Sequence, residues 1–328
     1  MNAESDHPTA GRNLALEAVR VTEAAALAAS RFLGGGDERA ADEAAGGAMH
    51  HSLTRLAVNG TVRISEAHEG EADHLYIGEK VGTGDGSEVD VAVLPLEGKS
   101  IVARGGPNAL SLIAFAENGG FLELPSIYMN KIAVGPGLPD GIVELDSTPA
   151  ENIAAVAAAK GVAVEDVVVC MLDRPRHGQT IRDIREAGAR IRLILDGDVS
   201  GVVSTGLPKA GVDIFMGIGN ALQGLLAAAA MRGMGGQMQG RLVFRSDDDK
   251  LKARDVGIED LERKYTAGEM ASGDVTFAAT GVTYGPILEP VRRASAAILV
   301  SHSMVVRSKT RTLRYVEAHH DLAHGRDA

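Results

Sequence analysis

Three acidic residues stand where carboxylates could converge on a cation. Asp42 falls in a helical pattern, Glu66 follows a strand-like stretch, and Glu97 sits in the turn Leu94-Pro95-Leu96-Glu97-Gly98-Lys99. Carboxylates brought together from separate elements hold Mg²⁺ or Mn²⁺ for phosphoryl chemistry. Taken one at a time, each is more often a solvated surface charge.

A second set of residues suits anion and sugar recognition. Arg174-Pro175-Arg176-His177 follows an apolar strand directly and opens a helix. That spacing places cations and helix N–H groups at a strand's C-terminal end, where open α/β sheets bind ligands. Arginine adds bidentate contacts to phosphate. Asp196-Gly197-Asp198 holds the same place after the next strand and offers acceptors for sugar hydroxyls; Asp198 equally suits a helix N-cap. Gly217-Ile218-Gly219-Asn220 forms a third loop at this edge. The basic run Arg307-Ser308-Lys309-Thr310-Arg311 suits either another phosphate or a solvated turn.

The elements that must position these residues are legible in the periodicity. Residues 1–12 are polar and read as a loose tail. Apolar residues at helical spacing predict helices over 13–33 and 38–58, the first stopped by Gly34-Gly35-Gly36. The period then changes to two, predicting strands at 61–65, 74–78, 89–94, 109–116 and 127–134. After a Pro/Gly-rich connection at 135–141 the chain alternates. Helices are expected at 150–160, 178–188, 198–206 and 220–232, and strands at 166–172, 190–195 and 212–216. The charged stretch 246–272 reads as a surface excursion, with strands returning at 274–279, 296–306 and 311–317. This order predicts an α/β protein of two lobes, 13–149 and 150–328, with a cleft between them.

Composition narrows the function classes. The chain has 328 residues, enough for one large domain or two closely packed lobes, and its net charge is −11. Such an acidic balance argues against nucleic-acid binding. No apolar run approaches the roughly 18 residues that span a membrane. The N-terminus lacks the basic and apolar regions of a signal peptide, so a cytoplasmic location is expected. The single cysteine, Cys170, lies in the apolar run Val167–Leu172 and reads as a buried strand residue. Aromatics make up 3% and Trp is absent, so Ala, Val, Leu and Ile must fill the core.

Longer segments resemble a known family. Val21–Ala28, Leu75–Gly82, Tyr128–Pro136, Asp173–His177, Asp196–Val199 and Phe277–Thr283 together look like class II fructose-1,6-bisphosphatases, over about residues 13–318. The resemblance implies a layered α/β/α/β/α fold of the lithium-sensitive phosphatase group. It also implies metal-dependent hydrolysis of a sugar 1-phosphate and a homo-oligomer, dimer or tetramer. Asp42, Glu66 and Glu97 match metal-coordinating carboxylates. Tyr128, Arg174-Pro175-Arg176-His177, Asp196-Gly197-Asp198 and Asn220 match substrate-contacting positions.

The departures from the family pattern fall at the metals. The turn D-P-I-[DE]-G-T is here Leu94-Pro95-Leu96-Glu97-Gly98-Lys99, and G-E-G-E is Ser65-Glu66-Ala67-His68. The loop G-G-A-P-E-G is Gly219-Asn220-Ala221-Leu222-Gln223-Gly224. Leu94 and Gln223 thus replace anionic ligands, and Lys99 replaces a threonine that orients water. The site gains about three units of positive charge, each worth roughly 4 kcal/mol at an effective dielectric near 20. Mg²⁺ or Mn²⁺ binding is therefore expected to be weakened or lost.

Three readings follow for the sugar-phosphate pocket. One is a phosphatase with a reduced metal site, in which Asp42, Glu66 and Glu97 hold the ion and Gln223, also counted among the substrate-binding positions, is a weak neutral ligand. A second is a metal-independent enzyme using Lys99 as electrophile, acid or Schiff-base amine on a ketose phosphate. The third is a non-catalytic sugar-phosphate-binding protein.

Overall fold

A computed structural model describes residues 10–67, 70 and 72–324 of the chain. Residues 1–9, most of the expected tail, lie outside the described residues; residues 10–12 already belong to the first helix.

The chain opens with helices α1 (Ala10–Ser30) and α2 (Glu38–Leu53). Strands β1 (Asn59–Ile64), β2 (Lys80–Val81) and β3 (Glu88–Glu97) follow, then α3 (Lys99–Arg104), β4 (Leu110–Glu117) and β5 (Tyr128–Val134). The alternating part comprises α4 (Pro149–Lys160), β6 (Val168–Leu172), α5 (Gly178–Glu186), β7 (Arg190–Ile194), α6 (Asp198–Thr205), β8 (Ile214–Asn220) and α7 (Ala221–Met234). Then come β9 (Gln237–Val243), α8 (Asp247–Asp255), β10 (Lys264–Thr266) and α9 (Ala267–Met270). The chain closes with β11 (Val275–Gly281), β12 (Arg292–Arg293), β13 (Ile298–Arg307) and β14 (Thr312–Asp321).

Two sheets organise these elements. The larger runs β12-β13-β11-β4-β3-β1-β2, with β14 paired to β13. The smaller runs β10-β9-β5-β8-β6-β7. Helices α1 and α2 cover the outer face of the large sheet with an apolar layer that includes Ala18, Ala25, Met49 and Leu53. Helices α6 and α7 lie between the sheets, where Val199, Leu225 and Met231 share one core with Leu112, Phe277, Met129 and Phe215. Helices α4 and α5 cover the far face of the small sheet through Ile153, Val156 and Ile184. The result is an α/β/α/β/α stack. Small residues permit it: a Cβ on Gly201 would approach the Phe215 ring to 2.8 Å.

The sheets do not divide at residue 149, where the two lobes were expected to meet. Strand β5 precedes that point yet belongs to the small sheet, whereas β11–β14 return to the large one. Antiparallel pairing of β11 with β4 brings the chain's last quarter back onto its first half. Two local expectations also change. Residues 74–78 form a turn, not a strand, with Leu75 at φ 59° and Gly78 at φ 96°. The charged stretch 246–272 is not a plain excursion, because β10 adds to the small sheet beside β9. Among the described residues, no helix is long and apolar enough to cross a membrane.

Candidate active site

Strand direction assembles the site. Strands β1 and β3 run parallel, so Glu66 and Glu97 emerge from one edge of the large sheet. Strands β6, β7 and β8 also run parallel, so the loops at Arg174, Asp196 and Asn220 leave one edge of the small sheet. The helices between the sheets begin at these loops: Gly197 precedes α6, and Asn220 caps α7 by accepting the Leu222 N–H at 2.7 Å.

Glu97 is wholly buried and joins the two halves. The pairing of β3 with β4 shifts register between Leu94 and Glu97, so the strand ends in a bulge around Pro95, which has no N–H to donate. The Glu97 carboxylate then accepts the Val199 N–H at 2.9 Å and the Ser200 N–H at 3.2 Å. It therefore caps α6 from outside the helix. Burial, with the Asp196 and Asp198 charges adding to it, pushes the Glu97 carboxyl up to about 8; the hydrogen bonds from Val199 and Ser200 oppose the rise. Gly197 at φ 97° supplies the left-handed turn, and a Cβ there would sit 2.8 Å from Ser200 Oγ. Glu97 was expected among the catalytic and metal-binding groups. Each of its oxygens accepts one backbone N–H of α6.

The exposed part of the site centres on Asp42, Glu66, Lys99 and Gln223. Lys99, first residue of α3, places Nζ 3.2 Å from Asp42 Oδ2 on α2. Gln223, in the first turn of α7, donates from Nε2 to Glu66 Oε1 at 3.1 Å. Glu66 is solvent-accessible yet crowded, and desolvation raises its pKa against the lowering charge of Lys99; Asp42 and Asp196 raise it further. Lys99 has its pKa raised. Desolvation works against this, but the Asp42 carboxylate and then Glu66 outweigh it. That is the reverse of the depressed value a Schiff-base lysine requires.

The family's metal can be tested against these donors. Leu94 is buried in the apolar layer between the sheets. Gln223 turns its amide N–H toward Glu66, Lys99 holds Asp42, and Glu97 is spent on α6. Among the described residues, Asp42, Glu66 and Glu97 do not bring three ligand atoms within 4.8 Å of one another. As arranged, these three carboxylates do not form a metal centre.

On the small sheet, Tyr128 begins β5 between two guanidinium groups. Arg176 Cζ lies 5.2 Å and Arg245 Cζ 4.5 Å from the ring centroid. Arg176 also donates to the Ile218 carbonyl from Nε at 2.9 Å and Nη2 at 2.6 Å. Desolvation lowers the Arg176 pKa, and the neighbouring Arg174 and Arg245 charges add to the fall, against Tyr128 and Asp198. Three cations thus crowd one spot, as a phosphate site requires. Arg245 was not singled out in the sequence. Antiparallel pairing of Tyr128 with Val243 brings it there, a register that no local motif announces.

Deeper in, Lys131 and Asp198 form a buried ion pair, with Lys131 Nζ also donating to the Asn220 carbonyl at 3.0 Å. Asp198 Oδ1 is buried without a protein partner. Gly219 makes room for this pair, since a Cβ there would fall 1.7 Å from Asp198 Oδ2.

Several expected substrate contacts are occupied by the protein itself. His177 is buried, with Nδ1 2.8 Å from the Leu172 carbonyl and Nε2 accepting the Ile218 N–H at 2.9 Å. Desolvation lowers its pKa, and both ring nitrogens meet backbone groups beneath the β8 loop. Pro175 starts the short 175–177 turn, and Asp196 Oδ1 accepts the Gly197 N–H at 2.9 Å. Arg174 is partly buried, and its Nη1 donates to the Asp173 carbonyl at 3.1 Å. The Asn220 side chain is committed to capping α7. The basic run at 307–311 forms the β13–β14 turn, with Arg307 paired to Asp274. Arg311 lies against Gly235 at the end of α7, about 18 Å along that helix from Gln223. Burial pushes the Cys170 thiol up to about 12, which leaves it unreactive.

Comparison with known proteins finds relatives along almost the whole chain. The family model described as bacterial fructose-1,6-bisphosphatase, glpX-encoded, matches residues 12–320. The chain is 41% identical over 324 residues to fructose-1,6-bisphosphatase 1 class 2 of Escherichia coli strain K12, covering 95% of this chain and 96% of that one. It has the same identity and coverage with fructose-1,6-bisphosphatase class 2 of Shigella flexneri.

Proposed function

The chain belongs to the class II fructose-1,6-bisphosphatase family, whose reaction is hydrolysis of a sugar bisphosphate, and we propose that it performs this hydrolysis with altered dependence on divalent metal. A divalent-metal cofactor goes with the family; the altered dependence is the finer reading. One observation carries it: Lys99 and Gln223, the two departures that face the site, close directly onto Asp42 and Glu66. An ammonium stands among the carboxylates where cation charge would otherwise be needed.

In this reading the bisphosphate spans the cleft. One phosphate rests among Arg174, Arg176 and Arg245, with Tyr128 fixing the guanidinium planes. The unpartnered Asp198 Oδ1 accepts a sugar hydroxyl. The other phosphate lies against Lys99, whose charge stabilises the phosphoryl oxygens as the P–O bond to the sugar breaks. Glu66, with its raised pKa, takes a proton from the attacking water, and the leaving sugar oxygen is protonated from solvent. Glu97 keeps α6 and the Asp196–Asp198 loop in place. In this reading the reaction runs in the cytoplasm, in a homo-oligomer, dimer or tetramer, without nucleic-acid or membrane partners.

The test is phosphate release from fructose 1,6-bisphosphate by the purified chain, with chelator and with Mg²⁺ or Mn²⁺. Release that persists in chelator and is lost in Lys99→Ala is expected. Release confined to metal-containing assays and unaffected by Lys99→Ala would overturn the altered dependence. Ligand-induced thermal stabilisation with no release under any condition would leave a sugar-phosphate-binding protein instead.

A further inference from the structure

We infer that His50, His74 and Glu79 form a separate binding site for a transition-metal dication of the Zn²⁺ class. Among the described residues these three are the group whose ligand atoms lie within 4.8 Å of one another. His50 Nε2 is 3.0 Å from Glu79 Oε1. The His50 and His74 rings stack with centroids 4.1 Å apart and planes 8° from parallel.

The three residues sit on separate parts of the fold, and the carboxylate is held in place. His50 projects from the last turns of α2, while His74 and Glu79 flank the turn that leads into β2. Glu79 Oε2 accepts the Leu75 N–H, the residue next to His74, whose φ of 59° is uncommon outside glycine. Backbone bonds tie this turn to β1: Gly78 N–H to the Val62 carbonyl at 2.8 Å, and Val62 N–H to the Glu79 carbonyl at 2.9 Å. Glu79 thus arrives preoriented by a second hydrogen bond, the usual arrangement around a metal ligand.

The chemistry of the donors selects the ion. Two imidazoles and a carboxylate are a three-ligand set for Zn²⁺, Co²⁺ or Ni²⁺, with water completing the shell. Mg²⁺ prefers oxygen donors and is not matched. Tetrahedral Zn²⁺ places its ligand atoms about 3.3 Å apart, so the site closes by a small swing of one ring. His74 is exposed and free to make it, whereas His50 and Glu79 are partly buried.

The site is distinct from the one described above. His50 follows Asp42 on α2 by about 12 Å of helix. A bound ion would fasten the turn 74–79 to α2. It would act on the fold and take no part in the reaction.

The test is a Co²⁺ titration of the full chain in excess Mg²⁺, followed by visible ligand-field absorption. A band that Zn²⁺ bleaches, with at least tenfold weaker binding in His74→Ala and in His50→Gln, is expected. Zn²⁺ should also raise the thermal midpoint of the parent chain but not of His74→Ala. His74 is exposed, so that variant should keep the parent's far-UV circular dichroism. Absence of the band, or an unchanged band in folded His74→Ala, would overturn the assignment whatever the phosphatase assays give.

Discussion

Glu97 accepts the Val199 N–H at 2.9 Å, so the last residue of β3 anchors the first turn of α6. The bond spans the core between the two sheets and fixes the Asp196-Gly197-Asp198 loop relative to the large sheet. A carboxylate at a helix N-terminus satisfies N–H groups the helix cannot satisfy itself. Here the helix is buried along its whole length, so water cannot replace that partner.

Glu97→Ala should therefore destabilise the fold by about 2–4 kcal/mol, the cost of leaving two buried N–H groups unpaired. Urea unfolding of the parent and variant measures this. A loss below about 1 kcal/mol would mean that α6 is held by its apolar face alone.

The same residue predicts a pH dependence. Burial pushes its carboxyl up to about 8, above the ordinary value of 4.5. Between those values the folded chain keeps a proton that the unfolded chain has released, so this contribution to stability is complete at low pH and is lost as pH rises. The slope approaches about 1.4 kcal/mol per unit. Unfolding in metal-free buffers from about pH 5 to about pH 8 should show stability falling, and Glu97→Gln should flatten the curve.

The sequence made the helices and most strands legible because their periodicity is local. Arg174, Asp196 and Asn220 were also legible as neighbours, since each follows a strand of one parallel set. The alternating apolar residues at 74–78 predict a strand where the chain turns. What bends it is the bond between Glu79 and the Leu75 N–H, which the alternation does not encode. Glu97 looked like an active carboxylate because its partners, Val199 and Ser200, lie far along the chain. The strand context of His177 is hidden for the same reason: Ile218, on another strand, donates its N–H to the ring's Nε2. Leu94, Lys99 and Gln223 acquired meaning only through the family pattern, and Arg245 only through the register of β9 against β5.

Lys131 and Asp198 are both buried, so each depends on the other's charge. Lys131→Met should cost about 3–5 kcal/mol by stranding a carboxylate in the core. Adding Asp198→Asn should recover part of that loss while KM for the bisphosphate stays raised. Chemical unfolding and steady-state kinetics on both variants separate the two effects. Full recovery of KM in the double variant would remove Asp198 from sugar recognition.

Arg245 should act on binding more than on turnover. Its guanidinium lies over the Tyr128 ring and, among the described residues, bonds no backbone carbonyl as that of Arg176 does. Arg245→Ala should raise KM roughly tenfold with kcat nearly unchanged, the pattern of an interaction made equally in ground and transition states. Equal falls in kcat and kcat/KM would instead place Arg245 at the reacting phosphate.

Gln223 offers the most direct reversal of the altered site. Its amide N–H rests on Glu66 Oε1, so Gln223→Glu replaces a donor with a second carboxylate. Alone, the change sets two like charges side by side and should raise the pKa of the pair. A divalent cation relieves that repulsion, so affinity for Mn²⁺ should increase by at least tenfold. Lys99→Thr should add to the gain by removing the ammonium that now holds Asp42. Calorimetric titration of Mn²⁺ into the parent, both single variants and the double variant gives the order: weakest in the parent and tightest in the double. Equal affinity across the four proteins would show that neither Gln223 nor Lys99 controls the metal.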